Sequence, residues 1–322
     1  MTSTATAAKG PLSAPDSATA AEVIRARHLS GHRADGNRLA LVIEGGGSRG
    51  VYSSGMVQAL EELGLSTIFD AVYGTSAGAL NGAWLLCGRA ATGMRSWTDP
   101  TIMRRVVDPV RIVRGRPVFD LHYLVHGVYD GVEPMDFPAI LANPTSFHPV
   151  ATDIRTGQAV DLAPHIVDKA TLLTALRASA GLPLLAGPPV VLAGAGYLDG
   201  GLAESVPIRM AVRAGVTHAL VLRTRRTDEL RPPASLLHRV VGGGYMRTIA
   251  HGAYRAWTQR PGQQALEDRA LTDLGDKVLQ IHPPTGSPAV ESAARDTDLL
   301  TRALDIGRAA AHTTLDDIVH PA

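Results

Sequence analysis

The sequence has very little of several residue types that define common protein classes. Its 322 residues include one cysteine, Cys87, so no disulfide can form within the chain. Aromatic residues make up 4% and the formal net charge is +1. The long basic stripe with interleaved aromatics that marks many nucleic-acid-binding proteins is absent, and we expect no nucleic-acid partner. With 45% hydrophobic and only 19% charged residues, the chain is expected to bury one large core.

The sequence also lacks an evident targeting signal or uninterrupted membrane span. Residues 1–37 are rich in Ala, Ser, Thr and Gly and have no signal-peptide apolar core. We therefore expect a mobile N-terminal tail there, followed by one domain over residues 38–322. Residues 178–198 carry no charge, but Pro183, Pro188 and Pro189 would break a spanning helix. These features predict a cytoplasmic protein whose membrane contact, if any, is peripheral to the inner face.

Strand-like and helix-like runs alternate, which is typical of an α/β fold with a mostly parallel central sheet between helical layers. The predicted strands are Arg38–Ile43, Phe69–Tyr73, Phe147–Thr152, Gln158–Leu162, Pro189–Leu192, Val216–Leu222 and Lys277–His282. Predicted helices follow Gly50, Ala77, Asp168, Pro207 and Pro288, the last extending to about Asp317. Because parallel strands share one carboxyl edge, the segments that follow the first two strands are expected to meet there.

The segment Gly74-Thr75-Ser76-Ala77-Gly78 lies between a strand-like run and a helix-forming run. A Gly-x-Ser-x-Gly spacing is typical of a tight strand-to-helix turn that exposes a serine hydroxyl, since only small residues fit two positions to either side. The pattern predicts that Ser76 is a nucleophile.

A second glycine cluster, Gly45-Gly46-Gly47-Ser48-Arg49-Gly50, follows the first strand and precedes a helix. Backbone amides at a helix N-terminus bind phosphate or an oxyanion equally well. A dinucleotide site is disfavoured because Asp70, near the expected offset, enters the second strand instead of ending it. A P-loop is disfavoured because no lysine lies in this strand–loop–helix unit. An oxyanion hole serving Ser76 and a tight packing turn remain.

Asp199 is the single acid in the turn Gly196-Tyr197-Leu198-Asp199-Gly200-Gly201, which follows a long uncharged stretch. A carboxylate that emerges from apolar sequence is costly unless it is hydrogen-bonded or functional. Asp199 is therefore a candidate catalytic residue, and an Asx-turn that caps its own loop is the alternative.

In this order, the glycine loop, the serine turn and the Asp-Gly-Gly turn resemble the motifs of the patatin-like phospholipase family. The matching positions are Gly45, Gly47 and Gly50 with Arg49 as the basic residue, then Gly74, Ser76 and Gly78, then Asp199, Gly200 and Gly201. A small-residue segment at 178–183, ending in proline, is also similar, and the resemblance covers about residues 38–225. It implies a three-layer α/β/α domain with a Ser–Asp dyad at the carboxyl edge of the sheet.

The resemblance further implies a lipid acyl hydrolase of the phospholipase A or carboxylesterase type, active in lipid degradation, with no cofactor or metal. Ser76 would form the acyl-enzyme and Asp199 would act as general base. The oxyanion hole would come from Gly45, Gly46, Gly47, Ser48, Arg49 and Gly50. The implied partner is a lipid or another ester substrate.

Two alternatives stay open at this point. An α/β-hydrolase esterase shares the serine turn but uses a Ser-Asp-His triad, although its oxyanion motif follows the third strand and not the first. Histidines after Asp199 are His218, His238, His251, His282, His312 and His320. The other alternative is a catalytically silent lipid-binding or regulatory module, against which the intact motif positions argue.

Residues 95–146 form an insertion before the third strand, for which we predict a lid or a cap over an acyl pocket. Five arginines, Arg104, Arg105, Arg111, Arg114 and Arg116, alternate there with valines and isoleucines. A cationic, apolar segment of this kind predicts peripheral contact with an anionic membrane. An ordinary surface helix and loop is the alternative. Residues 226–270 are also rich in arginine, and their pattern predicts no role.

Overall fold

The computed structural model describes residues 18–229 and 243–320. Its strands are β1 (Leu39–Ile43), β2 (Ala71–Thr75), β3 (Ser146–Asp153), β4 (Ala159–Asp161), β5 (Val190–Leu192), β6 (Ala195–Asp199), β7 (His218–Leu222) and β8 (Val278–Ile281). Its α-helices are α1 (Ala20–Ser30), α2 (Val51–Glu62), α3 (Ala77–Leu86), α4 (Ala90–Gly93), α5 (Pro100–Val106), α6 (Phe137–Leu141), α7 (Lys169–Ser179), α8 (Ile208–Arg213), α9 (Gly243–Ile249), α10 (His251–Thr258), α11 (Arg260–Leu274) and α12 (Thr297–Val319).

The strands form one mixed sheet in the order β5-β6-β3-β2-β1-β7-β8, with β4 paired to β3 outside this order. Strands β1, β2, β3, β7 and β8 are parallel. Alternate residues of β1 enter two different cores. Leu39, Leu41 and Ile43 pack with α2, α3 and α12, whereas Ala40 and Val42 pack with α8 and α11. The predicted α/β fold, a mostly parallel sheet flanked by helices on both faces, is therefore confirmed.

All seven predicted strands are present, but β6 was missed by the sequence patterns. β3 extends beyond the carboxyl end of β2, and β6 runs antiparallel beside that extension with Asp199 opposite Ala151. Since Val150 lies opposite Thr75, this pairing brings Asp199 back to the level of Ser76. The two residues thus reach one edge of the sheet from opposite directions.

The prediction of a mobile tail over residues 1–37 is wrong for its second half, while residues 1–17 lie outside the described part. Helix α1 begins with a capping box, in which Thr19 Oγ1 accepts the Glu22 amide at 3.2 Å and Glu22 Oε2 accepts the Thr19 amide at 2.8 Å. The buried Arg27 of this helix donates to Asp35 through Nε and Nη2 at 2.9 Å each, and through Nη1 to Asp70 at 2.8 Å. These contacts attach α1 to the start of β2.

The helix predicted after Pro288 begins later, at Thr297. Asp296 Oδ1 accepts the amides of Asp298 at 3.0 Å and Leu299 at 3.3 Å, which defines the N-cap. The residues between Pro288 and this cap form a loop that returns to the glycine cluster, where the Ser292 carbonyl accepts the Ser48 amide at 2.8 Å.

The insertion at residues 95–146 is packed against the main core through residues such as Met103, Val107, Leu124 and Val128. It contains α5, a 3-10 turn at Pro109–Arg114, a π-helical segment at Tyr123–Val132 and α6. Across residues 18–229 and 243–320, no helix has both the length and the apolar character needed to cross a membrane.

Candidate active site

Ser76 lies between the end of β2 and the start of α3. Its backbone angles are φ 57° and ψ −125°, a left-handed conformation that residues with side chains seldom adopt. The Ser76 amide donates to Ser179 Oγ at 3.0 Å, and that hydroxyl donates to the Val150 carbonyl at 2.7 Å. The C-terminal end of α7 therefore fixes the turn against β3.

Gly74 and Gly78 are required at this turn because the backbone passes too close for any side chain. A Cβ at Gly74 would lie 2.6 Å from the Ala79 backbone, and one at Gly78 would lie 2.3 Å from the Ile43 carbonyl oxygen. Both distances are well inside van der Waals contact. The small residues of the motif are thus explained by packing.

The glycine loop, residues 45–50, borders the cavity that contains Ser76. Three of its amides are already used: Gly45 donates to the Ser205 carbonyl at 3.0 Å, Ser48 to Ser292 at 2.8 Å and Arg49 to Gly46 at 3.2 Å. The amides of Gly46 and Gly47 donate to no residue in the described ranges. Gly50 is the last residue of the 3-10 turn that leads into α2. Of the residues predicted to form the oxyanion hole, Gly46 and Gly47 are therefore the ones whose backbone amides are available as donors.

The buried carboxylate of Glu44 fixes the start of this loop. Glu44 Oε2 accepts Arg223 Nε at 3.1 Å and the Thr224 amide at 2.8 Å. Thr224 Oγ1 in turn donates to the Gly45 carbonyl at 3.0 Å. The end of β7 thus holds the glycine loop in place from the side opposite to β2.

Asp199 ends β6 with its side chain buried. Its Oδ1 accepts the Gly201 amide at 2.7 Å, whereas Oδ2 accepts no hydrogen bond of ordinary geometry from the described residues. Burial raises the pKa of Asp199 above the usual aspartate value, and the Ser76 hydroxyl, the Gly201 amide and the charge of Arg260 act against that rise. One carboxylate oxygen is therefore held by its own turn, as an Asx-turn predicts, and the other is left for a proton.

Ser76, Asp199 and the glycine loop line one polar cavity of about 610 Å³. Three arginines, Arg49, Arg225 and Arg260, also border it. Burial, reinforced by the nearby charge of Arg225, lowers the pKa of Arg49 to about 10, so Arg49 remains a cation at neutral pH. Carboxylates border the cavity as well, from Glu44, Glu229 and Glu291, and Glu229 pairs with Arg225 at 2.7 Å. Ser76 and Asp199 therefore lie in a cavity lined by charges of both signs.

A second, apolar cavity of about 40 Å³ meets the first at Ser76. Its apolar walls come mainly from the insertion and α3, and include Leu80, Trp97, Met103, Val106, Val107, Phe119, Leu121, Leu124 and Leu182. Ser76 thus lies at the junction of a polar cavity and an apolar one.

None of the histidines within the described ranges lines either cavity. His218 begins β7, at the opposite edge of the sheet, and its Nε2 contacts the Ala18 carbonyl at 2.8 Å. His282 Nδ1 contacts the Arg225 carbonyl at 2.9 Å, and His312 Nε2 contacts Glu62 at 2.8 Å. His251 is exposed, while His238 lies outside the described residues.

Several residues that build the site were not predicted from the sequence. Glu267 accepts the Ser205 amide at 2.7 Å through Oε1 and the Val206 amide at 3.2 Å through Oε2, which holds the loop after Asp199. Arg260 and Gln264, at helical spacing on the same α11, line the polar cavity. Ser179 and Ser292 act through their contacts with Ser76 and Ser48. The only sequence signal was the spacing of 260, 264 and 267, which places these residues on one helix face.

Known proteins resemble this chain over the segments that build the site. A family model described as patatin-like phospholipase matches residues 41–212. The uncharacterized protein YjjU of Escherichia coli (strain K12) is 34% identical over 253 residues, covering 77% of this chain and 69% of that protein. An uncharacterized NTE family protein of Mycobacterium tuberculosis (strain ATCC 25618 / H37Rv) is 28% identical over 299 residues, covering 85% of this chain and 79% of that protein.

Among solved structures, VipD from Legionella pneumophila aligns with a TM-score of 0.45 and 14% identity, over 87% of this chain and 67% of that chain. The family model spans the glycine loop, the serine turn and the Asp-Gly-Gly turn, all of which border the polar cavity. The chain therefore belongs to the patatin-like phospholipase family, a membership that indicates lipid hydrolysis as its general activity.

Proposed function

We propose that this chain is a serine hydrolase that cleaves lipid acyl esters through an acyl-Ser76 intermediate. The observation that carries the proposal is the convergence of Ser76, the free oxygen of Asp199 and the unoccupied amides of Gly46 and Gly47 on one cavity. These are the three components that acyl transfer needs: a nucleophile, a base and donors for an oxyanion.

In the first half of the reaction, Ser76 Oγ attacks the ester carbonyl carbon while its proton passes to Asp199 Oδ2. The amides of Gly46 and Gly47 donate to the oxyanion of the tetrahedral intermediate, for which a single donor is worth about 3–4 kcal/mol in other enzymes. Collapse of the intermediate expels the alcohol, which takes the proton from Asp199. In the second half, Asp199 accepts a proton from water as that water attacks the acyl-Ser76 carbonyl. Collapse of this second intermediate breaks the bond between Ser76 Oγ and the acyl carbon, Ser76 Oγ takes the proton back from Asp199, and the carboxylic acid leaves.

Burial makes Asp199 better suited to this role than an exposed aspartate. A carboxylate with a pKa near 4 is a weak base toward a hydroxyl at neutral pH. Because desolvation raises the pKa of Asp199, it brings the base closer to the operating pH. Hydrogen bonds in sites without substrate are often long and tighten in the substrate complex, which fits an Oδ2 without a partner.

The two cavities at Ser76 support an ester with unlike ends. The apolar cavity suits the acyl group, and the polar cavity, bordered by arginines and carboxylates, suits a polar alcohol part such as a lipid head group. With about 40 Å³ of room, the apolar cavity admits only a short acyl group unless the insertion shifts. A hydrolysis screen across chain lengths and head groups tests this preference.

Labelling with a fluorophosphonate probe, combined with a set of variants, tests the mechanism. The wild-type chain is expected to be labelled and Ser76→Ala is not, while Asp199→Asn should lose at least about a thousandfold in turnover. His251→Ala, His282→Ala and His312→Ala should keep their activity. Loss of activity in one histidine variant would favour a triad instead. A folded wild-type chain that is neither labelled nor active would favour the silent binding module.

A further inference from the structure

The 3-10 turn Pro109–Arg114, in the outer part of the insertion, contains no buried residue. Three of its side chains are nevertheless large and apolar: Val110, Ile112 and Val113 are 55%, 61% and 81% exposed. Single exposed apolar side chains are ordinary on protein surfaces, but three within four consecutive positions form a patch that indicates an interaction.

The same segment carries a large excess of positive charge. Residues 104–116 contain five arginines and one aspartate. Arg111 pairs with Asp120 at 3.3 Å and with Asp108 at 3.9 Å. Arg114 and Arg116 make no ion pair with any residue in the described ranges. The turn therefore presents apolar side chains and uncompensated cations together.

A separate cavity of about 300 Å³ lies between this segment and α7. Its charged and titratable lining residues are Arg111, Arg116, Asp120, His122 and Arg177. Arg177 is partly buried, burial lowers its pKa, and no carboxylate in the described part of the chain pairs with it. A partly desolvated guanidinium without a carboxylate partner is suited to bind an anion from outside.

This outer cavity adjoins the active site. Phe119 and Leu121 line it on one side and line the apolar cavity beside Ser76 on the other. The two cavities are therefore separated by these side chains. A lipid held at the outer cavity would have its acyl chains close to the apolar cavity.

We infer that Pro109–Arg116 together with Arg177, here called the docking surface, binds a lipid surface with anionic head groups. Val110, Ile112 and Val113 enter the boundary between head groups and acyl chains, and Arg114 and Arg116 lie among the phosphates. The cavity that contains Arg177 takes one phosphate group. An anionic bilayer satisfies both the apolar side chains and the arginines, whereas a nucleic acid would leave the apolar patch in water.

Co-sedimentation with vesicles tests the inference, using phosphatidylcholine alone or mixed with phosphatidylglycerol. The wild-type chain is expected to bind the mixed vesicles more tightly, and to be released by salt. The triple variant V110S/I112S/V113S should bind at least about tenfold more weakly, because it loses the apolar contact. Arg177→Gln should bind about fivefold more weakly, the usual contribution of one cation near an anionic surface.

Two matched variants serve as controls. Val167→Ser changes a valine that is 77% exposed, and Arg302→Gln changes an exposed arginine on α12. Both should bind mixed vesicles as the wild type does, and thermal unfolding of every variant checks that it is folded. Binding by the triple variant equal to that of Val167→Ser would overturn the inference, as would failure of the wild type to bind anionic vesicles.

Delivery of lipid to Ser76, as the purpose of the docking surface, rests on the proposed hydrolysis. Binding to vesicles can be measured whether or not the chain hydrolyses esters. Sedimentation needs no turnover and can be repeated with Ser76→Ala. Hydrolysis of a soluble ester without vesicle binding would overturn the docking surface alone. Vesicle binding without labelling or turnover would overturn the proposed hydrolase alone.

Discussion

The backbone of Ser76 occupies a region of φ and ψ that glycine favours, and such conformations cost about 1–3 kcal/mol in other residues. We predict that Ser76→Gly is more stable than Ser76→Ala by about 1 kcal/mol. Both changes remove the hydroxyl, but only glycine relieves the backbone. Urea unfolding of the two variants measures the difference in the free energy of unfolding.

A comparison within α3 shows whether the effect belongs to this position. Ala79→Gly, in regular helix, should lower stability by about 1 kcal/mol relative to the wild type. If Ser76→Gly proved no more stable than Ser76→Ala, the backbone at Ser76 would not be strained. Neither Ser76 variant should hydrolyse esters.

The pKa of Asp199 predicts the acid limb of the pH profile. Asp199 must be ionised to act as a base, so kcat/KM should rise with pH through its pKa, and burial holds that pKa above the usual aspartate value. The positive charge of Arg260 lowers the same pKa. Arg260→Gln should therefore move the acid limb to higher pH, as measured by initial rates on a soluble ester.

Arg269→Gln is the matched control for this shift. Arg269 lies on the same helix but is exposed and faces Asp273 at 3.8 Å. Its loss should leave the acid limb where it is in the wild type. An acid limb that stays in place in Arg260→Gln would mean that the limb reports a group other than Asp199.

Sequence patterns predicted the site residues that lie in short motifs. They did not predict the residues whose role depends on contacts between distant parts of the chain. Gly45 to Gly50, Gly74 to Gly78 and Asp199 to Gly201 are recognisable because each motif is a short segment with fixed spacing. Ser179 and Ser292 are distant in sequence from the residues they contact, and no pattern around them indicates those contacts. The catalytic roles of Ser76 and Asp199 stay predictions.

At the level of elements, the errors have identifiable physical causes. β6 begins with Ala195 and Gly196 and follows β5 after a two-residue turn, so it lacks the β-branched composition that indicated the other strands. α12 starts at the Asp296 cap, and the loop between Pro288 and that cap was mistaken for its first turns. α1 was missed because its apolar side chains form only a weak periodic pattern. One of its buried residues is Arg27, and a charged residue does not indicate a buried helix face.

Helix α11 should couple stability to activity through Glu267. Glu267→Ala would leave the buried amide of Val206 and the amide of Ser205 without acceptors, at a cost of about 2–3 kcal/mol in stability. Because the same loop follows Asp199, kcat should also fall. Denaturant unfolding and initial rates on a soluble ester measure the two effects.

Asp273→Ala provides the comparison on the exposed face of α11. It should change stability by no more than about 0.5 kcal/mol and leave kcat as in the wild type. A Glu267→Ala variant that behaved in the same way would show that the loop does not depend on α11.

For the whole molecule, the attachment of α1 to the sheet is the strongest departure from the sequence prediction. Arg27→Ala removes the guanidinium that joins Asp35 and Asp70, and should lower the free energy of unfolding by about 3–5 kcal/mol. Arg25→Ala, an exposed position on the same helix, should cost no more than about 0.5 kcal/mol. If the two variants were equally stable, Arg27 would not attach α1 to the sheet, and residues 20–37 would behave as the predicted tail.

The fold class itself could be predicted because the alternation of strands and helices is still recognisable when single elements are missed. The strand order could not, since it requires knowing that β1 lies between β2 and β7. No local pattern encodes that neighbour relation, which arises from the packing of two helical layers on one sheet.

The contact between Ser292 and the glycine loop has a consequence for the order of folding. β1, β2 and the turn at Ser76 are contributed by an early part of the chain, whereas the carbonyl that receives the Ser48 amide comes from a much later part. Contacts of such long sequence separation form late, because the intervening chain must first be ordered. During synthesis on the ribosome, the segment that carries Ser76 therefore emerges well before the glycine loop can be closed by Ser292. If the chain hydrolyses esters as proposed, hydrolysis is expected to begin only when the segment with Ser292 has docked.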